Sequence, residues 1–219
     1  MKVFKYILIL LVVFLISGYF LLQNHSVQNR LFENTVRVLF QTDEIFMNDA
    51  LSVAVCGSRA PLPSPNRAET CLLVQAGTSK FIIDTGRGSA DNLQRWRVDY
   101  SDLEAVILSH LHSDHISDLH EVQFQSWLGG RKTPLSVIGP IGTASTAQGF
   151  EQAFKLDSIY RSEHHGAILP IEAYGYDVVE FEGDTALIFQ NEDTSITAFK
   201  VDHSPVDPSY AFKIEYKDR

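Results

Sequence analysis

Four side chains able to bind a metal ion fall within six residues of this sequence. They are His110, His112, Asp114 and His115, in the run Ser109-His110-Leu111-His112-Ser113-Asp114-His115. The chain has eight histidines in 219 residues, and three of them stand here, which separates the run from an ordinary polar loop. It follows Ala105-Val106-Ile107-Leu108, a short apolar segment that predicts a buried strand. Alternate residues of an extended chain point the same way, so His110 and His112 can close on one ion. Asp114 and His115 come where the chain leaves the strand and can face a second ion beside the first. Neutral imidazole with carboxylate oxygen is a donor set that suits zinc, with iron or manganese as the other candidates.

The elements that must carry these side chains alternate along the chain. Strand patterns cover residues 51–55, 71–75 and 80–84, the last two joined by the turn Ala76-Gly77-Thr78-Ser79. Residues 86–97 read as a short helix and 116–128 as a longer one, with Leu119, Val122, Phe124 and Trp127 available for burial. A strand at 134–138 and a helix at 143–154 follow. From residue 178 the pattern is rich in strands, at 178–181, 186–190, 195–201 and 210–216. Residues 1–34 stand apart from this domain, which is assigned to 35–219. Lys2 and Lys5 precede an apolar core over residues 6–22, and residues 23–34 read as a polar linker. Positive charge ahead of an apolar run places the N-terminus in the cytoplasm, and no small-x-small cleavage site follows the run. The segment is therefore read as an uncleaved signal-anchor. The protein is expected to be membrane-anchored or exported, with its domain on the outer (periplasmic or extracellular) side of the cytoplasmic membrane.

The motif His110-x-His112-x-Asp114-His115 after a buried strand resembles the metallo-β-lactamase-fold hydrolase superfamily. Three other segments are similar to the branch containing ribonuclease Z and the zinc arylsulfatase-like enzymes. They are Cys56-Gly57-Ser58-Arg59-Ala60-Pro61, Asn66-Arg67-Ala68 and Phe81-Ile82-Ile83-Asp84-Thr85-Gly86-Arg87-Gly88, and the likeness runs over residues 53–216. The resemblance implies an α/β fold, a metallo-β-lactamase-like αβ/βα sandwich, and two zinc ions per complete protein. It implies His203, after the strand that ends at Val201, as the third histidine of the first ion, and Asp84 as a support for ligands and loop backbone. Asp84 taken alone also reads as a helix N-cap or turn residue. The bridging aspartate of the family lies in a Gly-Asp-Thr-like motif after the third histidine. Gly183-Asp184-Thr185 precedes His203 and reads as a hairpin turn instead. Arg219 comes sixteen residues after His203, so the bridging aspartate and the last histidine find no counterpart, and the sandwich is read as truncated at its C-terminal end.

Zinc lowers the pKa of bound water towards neutrality. The expected activity is a zinc-dependent hydrolase whose metal-bound hydroxide, aimed by Asp114, cleaves an ester: a phosphodiester, a sulfate ester or similar. The net charge of −9 argues against a broadly basic nucleic-acid surface, and the export segment argues against precursor tRNA, which is cytoplasmic. A small-molecule ester is accordingly ranked above nucleic acid as the substrate. A ribonuclease Z-like tRNA 3′-end endonuclease is the alternative, and an anchored inactive fragment or binding module lacking half the metal site is the second alternative. The sequence does not set the oligomeric state; a homodimer is compatible with it. His120 reads as a helix histidine outside the site, and His164 and His165 as a solvated loop, with a lid over the cleft as the other option. Cys56 and Cys71 are expected on neighbouring strands as two separate buried thiols, although an oxidising compartment would permit a bridge.

Overall fold

Phe81, Ile83, Ala105 and Ile107 turn to one face of a sheet while Ile82 and Val106 turn to the other, and this alternation sets the layers of the protein. The structure, a computed structural model, describes residues 2–39, 46, 49–62 and 64–217. These divide into two compact units, Met1–Leu39 and Phe40–Arg219.

The first unit holds helix α1 (Lys2–Leu22) and helix α2 (His25–Leu39). Among the described residues α1 is the one helix long and apolar enough to cross a membrane, over Phe4–Leu22. The linker expected at 23–34 is not there: only Gln23 and Asn24 lie outside helix, and the rest belongs to α2.

In the second unit, six strands form one sheet in chain order: β1 (Leu51–Gly57), β2 (Cys71–Ala76), β3 (Ser79–Ile83), β4 (Leu103–Ile107), β5 (Leu135–Pro140) and β6 (Tyr176–Phe181). The first three are antiparallel, and β3 to β6 run parallel. Parallel neighbours need crossovers, supplied here by α3 (Ser89–Arg95), by α4 (Ser113–Ile116) with α5 (Leu119–Leu128), and by α6 (Thr143–His165). A second, antiparallel sheet holds β7 (Thr185–Gln190), β8 (Thr194–Lys200) and β9 (Tyr210–Tyr216). Ile82, Val106 and Val137 pack on Leu93, Leu119 and Val122 of the helices. The opposite face buries Phe81, Ile107 and Ile138 against Ile196, Ala198 and Tyr210 of the small sheet. A parallel sheet covered on both faces reads as continuous apolar runs, as 105–108 does. Among the described residues the αβ/βα sandwich is therefore seen as three layers: helices, large sheet, small sheet.

Three local expectations are corrected. The helix expected over 116–128 is broken at Ser117 and Asp118, where the Asp118 N–H donates to the carbonyl of Thr85. Helix α6 runs on past residue 154 to His165 and stops at Gly166, whose φ is 55°. Gly183-Asp184-Thr185 is not a hairpin turn: β6 and β7 lie in different sheets, so the triplet carries the chain from one sheet to the other.

The expectation of two free thiols is also corrected, because Cys56 and Cys71 form a disulfide. The β1–β2 register pairs Gly57 with Cys71, and an irregularity between Val55 and Gly57 swings Cys56 alongside. The Cα atoms stand 5.0 Å apart, inside the range a bridge requires. The closed loop carries Arg59, Arg67 and Glu69. Replacing both cysteines by serine is expected to lower unfolding free energy by about 3 kcal/mol, the loop-closure value for roughly fifteen residues. Denaturant unfolding of the detergent-solubilised chain, with and without reductant, measures it; identical curves for oxidised and reduced protein would refute the contribution.

Candidate metal centre

Strands β3 and β4 pair in parallel and end together, so the loops leaving their C-terminal ends meet. In α/β sheets this is the end that collects ligands. Asp84 leaves β3 almost fully buried, with φ at 58°. Aspartate tolerates the left-handed region better than most residues. Its Oδ1 accepts the backbone N–H of Ser109 at 2.8 Å. Its Oδ2 accepts the Ser109 hydroxyl at 2.8 Å and Nδ1 of His115 at 2.7 Å. The backbones are tied as well, since the Thr85 N–H donates to the His115 carbonyl at 2.7 Å. A Cβ on Gly86 would collide with the Asp114 carbonyl oxygen and with Glu69, so glycine is what lets this turn lie against the histidine run.

The Ser109 hydroxyl, donating to Asp84, accepts from Nδ1 of His110 at 3.0 Å. This proton assignment follows from the network, and it leaves Nε2 of both His110 and His115 with a bare lone pair. The extended backbone persists past the end of β4 as far as His112, whose φ and ψ are −66° and 148°. Nε2 of His110 consequently faces Nδ1 of His112 at 3.2 Å. Two nitrogens on one tetrahedral ion at ~2.1 Å would stand about 3.4 Å apart. His203 completes the group from the loop between β8 and β9, and the ligand atoms of His110, His112 and His203 all lie within 4.8 Å of one another. That loop is anchored to the histidine run, because the Tyr210 N–H donates to the Ser109 carbonyl at 3.1 Å. Three imidazoles converging in this way fit one divalent ion with a coordination position left open.

His115 lies beside His110, with ring centroids 4.0 Å apart, and its Nε2 is 3.8 Å from Oδ2 of the buried Asp114. Both residues stand in the single turn of α4. Burial, then the neighbouring imidazole of His115, lowers the pKa of His110 to about 4, so it is held in the neutral form that binds metal. Burial also opposes a charge on His115, but the hydrogen bond and negative charge of Asp84 outweigh it and raise that pKa.

Two members of the site carry no label in the sequence reading. Ser109 relays Asp84 to His110, a role its place beside the first histidine could have hinted at. Glu69, almost fully buried, accepts the Arg59 guanidinium at 2.8 Å and the Arg87 N–H at 3.1 Å. Its partners are ten and eighteen residues away in sequence, so no local pattern marks it. Other candidates stay outside. His120 stacks on Phe154, with centroids 3.3 Å apart. His164 and His165 are not on a loop or lid but in the last turn of α6.

The profile of the metallo-beta-lactamase superfamily matches residues 65–188. The chain belongs to that superfamily. It is 36% identical over 172 residues to a ribonuclease Z from Mycobacterium marinum, and 35% identical over 171 residues to one from Mycobacterium bovis. These alignments take in 76% and 75% of the chain, which spans 59% of the length of both relatives. Among solved structures, the metallo-beta-lactamase fold protein YhfI from Bacillus subtilis matches with a TM-score of 0.56 at 26% identity, covering 76% of this chain and 58% of that one. The short form of human tRNase Z matches in fold, with a TM-score of 0.58 at 20% identity, covering 75% of this chain and 64% of that one. The named relatives support the ribonuclease Z side of the branch expected from sequence. They also overturn the ranking of a small-molecule ester above nucleic acid, because the relatives are ribonucleases by name. That ranking leans on the export segment and on total charge, and total charge says little about one face of a protein.

If the three imidazoles hold an ion, removing one of them removes tight binding. Metal analysis after dialysis is expected to find about one tightly held ion per chain in the parent protein and in His120→Ala, and none in His112→Ala. Asp84→Ala should weaken binding by roughly 10- to 100-fold, as lost support of metal-bound imidazoles does elsewhere. Full retention of metal in His112→Ala would overturn the assignment.

Proposed function

We propose that the chain carries a ribonuclease Z-like, metal-dependent hydrolase domain that cleaves phosphodiester bonds of RNA. The observation that carries this reading is the 36% identity to a ribonuclease Z over 172 residues. His110, His112 and His203 would hold the first ion, with zinc the metal their donor chemistry favours, and Asp114 and His115 would contribute to a second. Such ions supply Lewis-acid activation of water and offset charge developing on the phosphoryl oxygens. The protein's own part is positional. Asp84 and Ser109 fix the imidazoles of His110 and His115, and Asp114 is assigned the role of accepting the hydrogen bond of the attacking water. Hydrolysis then consumes one water and releases an alcohol and a phosphate monoester.

A local surface is suited to a phosphodiester backbone despite the acidic total charge. Arg67, Arg87 and Arg95, with Arg59 held by Glu69 and with Asp91 as the one acid in the lining, surround one cleft of about 710 Å³, in a chain whose total charge is −9. The Arg87 turn is the one held against the histidine run through Gly86. Phosphate recognition by clustered arginine needs only such a local field.

Residues 1–34 are proposed as anchor and 35–219 as hydrolase domain; the two compact units divide after Leu39. Lys2 and Lys5, in the first turn of α1 and ahead of its apolar core, favour an outer location for the domain, and the Cys56–Cys71 bridge fits an oxidising compartment. The substrate in this reading is RNA that reaches the outer face, with no requirement that it be precursor tRNA.

The test is cleavage of an end-labelled structured RNA with a single-stranded 3′ extension by the zinc-loaded protein in detergent. Cleavage should be lost with chelator and in His112→Ala. Arg67→Gln and Arg87→Gln should each weaken RNA binding, roughly five- to tenfold, and reduce the salt slope of binding by about one. Metal-loaded protein that neither binds nor cuts RNA would sink the reading.

A further inference from the structure

Helix α2 plays no part in the metal centre, yet its surface is strongly divided. At about 100° per residue, Val27, Leu31, Phe32 and Val38 fall within one arc of about 140°. Ser26, Asn29, Arg30, Glu33 and Asn34 fill an arc of similar width on the opposite side. Two polar residues, Gln28 and Thr35, interrupt the apolar arc, and both turn their hydrogen bonds inward. The Thr35 hydroxyl donates to the Leu31 carbonyl at 2.8 Å, and Nε2 of Gln28 donates to the Leu22 carbonyl at 3.0 Å. The face is thus mainly apolar in composition, and Leu31 and Val38 on it are 51% and 68% exposed.

The position of α2 along the chain says what covers this face. Helix α1 has 21 residues, or about 31 Å at 1.5 Å per residue, which matches a bilayer hydrocarbon core of about 30 Å. Only Gln23 and Asn24 separate its end from α2. The junction is built: Oδ1 of Asn24 accepts the Ser26 N–H at 2.9 Å, its carbonyl accepts Val27 and Gln28, and the Gln28 side chain satisfies one of the open carbonyls at the end of α1. A helix that starts where a membrane span stops, with low overall hydrophobicity and one apolar side, has the features of an interfacial helix.

We propose that α2 lies in the headgroup layer of the membrane that α1 crosses, with Val27, Leu31 and Val38 against the acyl boundary and Arg30 on the side of the phosphates and water. This rests on the proposed anchoring by α1 and goes beyond it. The test uses the full chain in vesicles of phosphatidylethanolamine and phosphatidylglycerol, with nitroxide attached at single sites: Leu31→Cys, Glu33→Cys and, within α1, Ile9→Cys. Oxygen collides with lipid-facing labels and a water-soluble nickel chelate with exposed ones. The expected pattern is loss of nickel relaxation at Leu31→Cys, with oxygen access retained, and the reverse at Glu33→Cys. Lipid exposure at Ile9→Cys with water exposure at Leu31→Cys would overturn the interfacial helix and leave the anchor standing. Water exposure at Ile9→Cys would remove both. A Leu31 label shielded from both reagents would overturn the proposal in favour of protein packing, and spin–spin broadening there would identify a second copy as the partner.

Discussion

The carboxylate of Asp84 is the fixed point around which the histidine run is arranged. It is almost fully buried and receives three donors from the neighbouring loop: a backbone N–H, a hydroxyl and an imidazole. Hydrogen bonds to a charged group are worth about 1.5–3 kcal/mol each, and a buried carboxylate without them would carry a desolvation cost of several kcal/mol. The dependence therefore runs both ways. The carboxylate tolerates burial because the loop closes on it, and the loop holds the tautomers of His110 and His115 because the carboxylate is there. The left-handed backbone at Asp84 and the missing side chain at Gly86 are the local geometry that this arrangement demands.

Much of this was legible in the sequence, for a reason that sets the limits too. The runs at 80–84 and 105–108 encode their strands because a covered parallel sheet must be apolar on both faces. His110 and His112 are legible because two-residue spacing in extended backbone is a local rule. His203 was reached only through resemblance, since 91 residues separate it from His112 and no local rule spans that distance. Ser109 and Glu69 were missed because hydrogen bonding is decided by folding, which brings Glu69 to partners ten and eighteen residues away. The Cys56–Cys71 bridge depends on a register irregularity that no composition reveals.

Helices α2 and α6 were misjudged through averaging. Residues 25–39 mix polar and apolar types nearly evenly, so the mean resembles a linker, while the 3.6-residue period that separates the two faces is lost in it. In α6 the apolar pattern fades after residue 154, with Leu156 and Tyr160 exposed, but nothing breaks the helix before Gly166. The same averaging hid the arginine-lined cleft inside a net charge of −9. A protein's total charge governs its behaviour at long range, whereas a ligand at the surface meets only the few charges within a screening length.

His110 and His112 leave the large sheet, while His203 arrives from the small one. An ion held by all three is therefore a rivet through the two sheets, fastening β4 to the β8–β9 loop across the interface that Phe81, Ile107 and Ile196 fill with side chains. Because the unfolded chain offers no such cage, stability would become a function of free metal concentration, rising by about 2.7 kcal/mol when metal is at a hundred times its Kd. Closure of the domain and assembly of the proposed metal site would then be one thermodynamic event, and scarcity of metal would loosen the sheets where β4 meets the β8–β9 loop.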